Sequence, residues 1–269
     1  MANNLPMAKQ ISFRRSQSFA LGSGMNLPPA VAHVLNMQAA RNLVLGRLVV
    51  EPGVPTPDAV NGDVTAITVQ GASLMVSNQP ASLRSFHPLL AENSQYIGCP
   101  IPTAGVAQVQ VANMGAAAVC TATVYCDEWA ENLGPVPSPT ESGPSTLNFC
   151  AGLGSDLGVA AGARWTLQCT MLRSAVLGRL YLEAFDAAAV NYNGESACTI
   201  DQVLLNQTEQ LSSQVNAGVT LSAFSLLARE ADQMNLNIFA PMNSTLTISG
   251  INNSGVVQNF RGTIFCNAS

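Results

Sequence analysis

Apolar and polar residues alternate with a period of two along much of the chain. In RWTLQCTML (164–172), Trp165, Leu167, Cys169 and Met171 alternate with Thr166, Gln168 and Thr170. That spacing belongs to a strand with one face buried and one face wet. Further short β-rich runs follow the same habit: DVTAITVQ, VAQVQVAN and AVCTATVYC in the first half, TIDQVLLNQ, STLTISGINN and NFRGTIFCN in the second. Gly, Pro and Asn punctuate them, and only SAFSLLAREADQM (222–234) is patterned as an amphipathic helix. Many short strands between turn residues predict an all-β antiparallel sandwich or barrel, with jelly-roll topology a fitting choice within that class.

The chain also repeats itself, which settles one ambiguous segment. RNLVLGRLVVE (41–51) returns as RSAVLGRLYLE (173–183) with seven of eleven positions identical, SLRSFHPLLAE (82–92) resembles TLSAFSLLARE (220–230), and ATVYCD (122–127) resembles GTIFCN (262–267). The offset grows from 132 to 140, as small loop insertions between two copies of one fold produce. PAVAHVLNMQAARN (29–42) read alone could be a helix, but its partner in the repeat is the alternating RWTLQCTML. Both are therefore expected to be strands, with His33, Leu35, Met37 and Ala39 matching Trp165, Leu167, Cys169 and Met171. The division predicted is an N-terminal arm (1–24), a first β-sandwich (25–130), a Pro/Gly/Ser-rich linker ENLGPVPSPTESGPST (131–146) and a second sandwich (147–269). Strict alternation puts Val44, Gly46, Leu48 and Val50 on the core face of one strand and Val176, Gly178, Leu180 and Leu182 on that of its partner.

Charge changes the picture more than size does. Charged residues make up only 10% of the 269 residues and hydrophobic ones 48%, against about 25% charged in an average soluble protein. A surface so bare suits burial against other subunits. No run of about 18 uncharged apolar residues occurs, since LVLGRLVV carries Arg47 in its middle. Lys9, Arg14, Arg15, Arg41 and Arg47 all precede the first acid, Glu51, so residues 1–50 carry +5; six basic and sixteen acidic side chains leave −10 on the remainder. Lys9, Arg14 and Arg15 thus make the arm the part suited to an anionic surface.

Candidate chemistry is thin. Two histidines, His33 and His87, give no triad, and His33 reads as a core residue matched to Trp165. Asp127, Glu128 and Glu131 read as a solvated turn, and AGLGSDLG (151–158) lacks the Lys-Ser/Thr of a phosphate loop, so it reads as a flexible lead-in to the second copy. Seven cysteines (99, 120, 126, 150, 169, 198 and 266) are odd in number and without CxxC spacing, and are expected as buried free thiols. The doubled RxxVLGRL motif could present Arg47 and Arg179 to phosphates, but a chain with one lysine lacks the dense basic face of a nucleic-acid reader. Arg47 and Arg179, with Glu51 and Glu183, are read as repeat-equivalent structural residues. No catalytic, cofactor-binding or metal-ligating residue is expected, nor an enzyme.

The two β-units, the matched RxxVLGRLxxE, the TVYC and TIFC endings and the basic arm together resemble the double jelly-roll major capsid proteins of tailless icosahedral viruses and bacteriophages. The resemblance implies a virion structural protein that assembles as homotrimers into pseudo-hexagonal capsomers, in a host cytoplasm, with other virion proteins as neighbours. It also implies an arm reaching inward to internal membrane lipid or to genome. The competing expectation is a tandem β-sandwich adhesin or carbohydrate-binding surface protein, which the presence of only two tryptophans, Trp129 and Trp165, disfavours.

Overall fold

The computed structural model describes residues 19–27, 32–53, 62–87, 97–113, 118–128, 149–186, 194–210, 218–225 and 235–267. The first unit contains β1 (Phe19–Leu27), β2 (Ala32–Gln38), β3 (Leu43–Gly53), β4 (Gly62–Val69), β5 (Ala72–Ser73), β6 (Ala81–Ser82), β7 (Cys99–Ile101), β8 (Val106–Asn113) and β9 (Ala118–Glu128). The second contains β10 (Cys150–Val159), β11 (Arg164–Thr170), β12 (Ala175–Phe185), β13 (Thr199–Leu205), β14 (Thr208–Glu209), β15 (Val219–Thr220), β16 (Asn235–Ala240), β17 (Thr245–Ile251) and β18 (Gln258–Asn267).

Two sheets face each other in each unit. Their orders are β1-β9-β3-β7 and β2-β8-β4-β5 in the first, and β10-β18-β12-β16 and β11-β17-β13-β14 in the second. The pairings are antiparallel, and the strand order is that of a jelly roll, written twice in one chain. The duplication extends to details. The short strands β6 and β15 pair with β4 and β13, and each runs into a single 3-10 turn, Leu83–Phe86 and Leu221–Phe224. The segment patterned as a helix in the sequence is described only as far as Ser225, where it forms the second of these turns.

Both third strands carry a bulge at the same place. Leu45 pairs with Cys126 before the register shifts at Arg47, and Leu177 pairs with Cys266 before the shift that ends at Leu180. A bulge adds one residue and so exchanges the two faces beyond it. The alternation expected from sequence is therefore corrected: the core receives Leu43 and Leu45, then Leu48 and Val50, and in the second copy Ala175 and Leu177, then Leu180 and Leu182.

Two further expectations are corrected. Residues 151–158 lie within β10, paired with β18 and bulged twice, with Gly154 (φ 73°) and Gly158 (φ 71°) supplying the left-handed conformations there. Their glycines imitate a loop composition while serving a strand. In addition, β1 begins at Phe19, opposite Cys126, so residues 19–24 pair with β9 and are not part of a free arm. Each sandwich has its own apolar core, and in the second Trp165 stacks on Phe260 with centroids 4.9 Å apart.

Candidate functional site

The described residues place their unusual chemistry at the joint between the two sandwiches. After β5, residues 74–80 run along the second copy and hydrogen-bond to it. Val76 N–H donates to the Cys150 carbonyl (2.9 Å), Leu172 N–H to that of Val76 (2.7 Å), Asn78 N–H to that of Thr170 (3.1 Å) and Gly154 N–H to that of Pro80 (3.2 Å). The Ser77 hydroxyl donates to the Gly152 carbonyl at 2.8 Å. This approach requires Gly152, because a Cβ there would lie 2.2 Å from the Pro80 carbonyl group. Side chains cross as well. Val76 packs in the second core, while Phe149 and Phe265 pack with Phe86 in the first, at centroid separations of 5.7 to 6.2 Å.

Beside the aromatic trio lies a buried charged cluster. Arg84, in the first 3-10 turn, donates to Glu195 of the one-turn helix Gly194–Ala197 at 2.8 Å. Ser82 donates its backbone N–H to the Thr263 hydroxyl (2.9 Å) and its own hydroxyl to Glu183 (2.8 Å), which also accepts from the Tyr181 hydroxyl at 3.2 Å. Arg261 approaches Asp63 at 3.3 Å and covers the Phe185 ring at 4.9 Å from its centroid. Three carboxyl groups thus share two guanidinium groups. Burial raises all three carboxyl groups above their ordinary values, against the pull of Arg261 on Asp63 and of both arginines on Glu183. Glu195 is pushed up to about 7 by burial, opposed chiefly by Arg84. The arrangement is a specific clamp between two copies of one fold.

No protein-family model matches the chain, and no curated protein does. Similar solved structures include two at low identity. The crystal structure of the STIV MCP aligns over 92% of this chain and 96% of its own, with a TM-score of 0.42 and 9% identity. That of the major capsid protein P2 from bacteriophage PM2 aligns over 92% and 98%, with a TM-score of 0.32 and 8% identity.

The residues singled out by sequence divide among several places. Lys9, Arg14 and Arg15 lie outside the described residues, as does the linker 131–146. Arg47 and Arg179 stand half-buried at the matched bulges. Glu51 pairs across the sheet with Thr121, and Glu183 at the equivalent register with Arg261. Of these four, Glu183 enters the joint. All seven cysteines are buried thiols, and burial pushes Cys99, Cys120, Cys126, Cys150 and Cys169 up to about 12. A thiol so far from ionising is a packing residue.

Sequence reasoning missed Asp63, Arg84, Glu195 and Arg261. A signal was available in the repeat itself: Arg84 stands where the second copy has Ser222, and Arg261 where the first has Thr121. Charge confined to one of two equivalent positions marks surfaces that the copies use differently.

Proposed function

We propose that this chain is a major capsid protein, a virion shell subunit that self-associates into homotrimers acting as pseudo-hexagonal capsomers. The observation that carries the reading is the doubled jelly roll with its two copies clamped face to edge, on a chain whose charged residues are only 10% of the total. A contact between unlike faces of equivalent units leaves one face of each kind unused, which favours closed rings of identical chains. Six jelly rolls in three chains make such a ring pseudo-hexagonal.

In this reading residues ahead of β1 form an arm on the inner side of the shell, 131–146 link the two sandwiches, and the protein resides in the virion after assembly in the host cytoplasm. Neighbouring capsomers and other virion proteins are its partners. Lys9, Arg14 and Arg15 meet an anionic surface there, of lipid headgroups or genome phosphates, at about 1 kcal/mol per cation in low salt.

Sedimentation of the native full-length protein, with electron microscopy of the particles, tests the assembly. The expected result is a three-chain species whose contacts bury more than roughly 2,000 Å² each. A stable monomer at micromolar concentration overturns the proposal. Replacing Lys9, Arg14 and Arg15 together by Gln tests the arm: particles should still form but retain membrane or genome less firmly, and unaltered retention would remove the electrostatic role.

A further inference from the structure

The joint inside the chain identifies its own counterpart on the outside. By strand register Tyr125 is equivalent to Phe265, since Ala20 faces Tyr125 as Cys150 faces Phe265 in the outer sheets. By the same reading Thr123 matches Thr263, Thr121 matches Arg261 and Glu51 matches Glu183. On the other side of the joint, Asp63 pairs with Ser82 as Thr199 pairs with Thr220, so Thr220 matches Ser82 and Ser222 matches Arg84.

Exposure separates these equivalent residues. Phe265 is 2% exposed beneath Phe86, whereas Tyr125 is 46% exposed. Ser82 is 1% exposed, whereas Thr220 is exposed, and Ser222 and Ala223 are half-covered where Arg84 and Ser85 are buried. Counterparts of residues that the joint buries therefore stand more open elsewhere on the same chain, with Tyr125 in place of Phe265, Thr123 in place of Thr263 and Thr220 in place of Ser82.

We propose that the outer face of β9 at Thr123 and Tyr125 is a docking surface for the edge Thr199, Thr220 and Ser222 of a second copy of this chain, in the geometry of the internal joint. This rests on the self-assembly reading above and specifies the surfaces it uses. Thr220 N–H then donates to the Thr123 hydroxyl as Ser82 N–H donates to that of Thr263, and Tyr125 is covered by the neighbouring turn Leu221–Phe224. Because Ser222 and Thr121 replace Arg84 and Arg261, the contact between chains lacks the guanidinium–carboxylate pairs of the internal joint. Its affinity should depend little on salt.

Two changes in the full-length protein test the surface. Thr123→Cys together with Thr220→Cys places thiols where the internal joint holds a hydrogen bond, and a mild thiol oxidant should link chain to chain, while neither single variant does. Tyr125→Glu should weaken association by about 30-fold or more while the separated chain keeps its melting temperature. If the protein assembles but the double variant gives no linkage and Tyr125→Glu assembles normally, this surface is wrong and the self-assembly reading stands. If the unmodified protein is monomeric at every concentration, both are overturned.

Discussion

Arg84 reaches from the first jelly roll to within 2.8 Å of Glu195 in the second, and both side chains are buried. Removing one partner of a buried pair strands the other charge, at a cost of about 3–5 kcal/mol, while replacing both by apolar groups is far milder. Arg84→Ala is therefore expected to lower stability toward denaturant by that amount, and Arg84→Met combined with Glu195→Met by much less. A neutral Arg84→Ala would show that the pair does not hold the joint.

The same cluster makes stability depend on pH in an unusual direction. Glu195 titrates near 7 in the folded chain against an ordinary value of 4.5, so the folded state holds its proton more tightly than the unfolded one. The stabilisation is complete below about 4.5 and is lost as pH rises through about 7. Asp63 and Glu183 are shifted the same way. Melting temperature should fall as pH is raised from about 5.5 to 8.5, and Glu195→Gln should flatten the profile; a profile rising over that range would contradict the assignment.

Close backbone approach gives a steric test. Gly152→Ala places a Cβ 2.2 Å from Pro80 backbone atoms, whereas Gly22→Ala on β1 meets nothing nearer than 3.7 Å. The first should cost about 1–3 kcal/mol or more, and the second less than about 1 kcal/mol. Thermal unfolding of the two variants measures the difference.

Equivalent aromatic positions should answer differently to truncation. Phe265→Ala empties a site packed by Phe86 and Phe149 and is expected to cost about 3–5 kcal/mol. Tyr125→Ala in the dissociated chain should stay within about 0.5 kcal/mol, as exposed substitutions do. Equal losses at the two positions would mean that Tyr125 is packed within its own chain.

The fold was legible where side chains alternate and where the chain repeats. Trp165, Leu167 and Cys169 marked a strand, and through the repeat they converted the helix-like segment around Leu35 and Met37 into another. Legibility failed at irregularities. A bulge after Leu45 leaves the residue types unchanged while exchanging the faces beyond it, so Val44 and Leu45 could not be sorted by period alone. The glycines of residues 151–158 had the composition of a loop because the second copy's first strand bends twice. Long-range pairs such as Arg84 with Glu195, 111 residues apart, have no local signature at all.

The charge asymmetry of the joint also guards against mispairing. An edge bearing Thr199, Thr220 and Ser222 brings no cation, so if it displaced the first copy's edge it would leave Glu183 and Glu195 buried with Arg261 alone. An uncompensated buried carboxylate costs several kcal/mol, enough to reject such an exchange by a hundredfold or more. Two modules of the same fold can thus be present at very high local concentration without trading places, because only one of them carries the key that fits the charged lock.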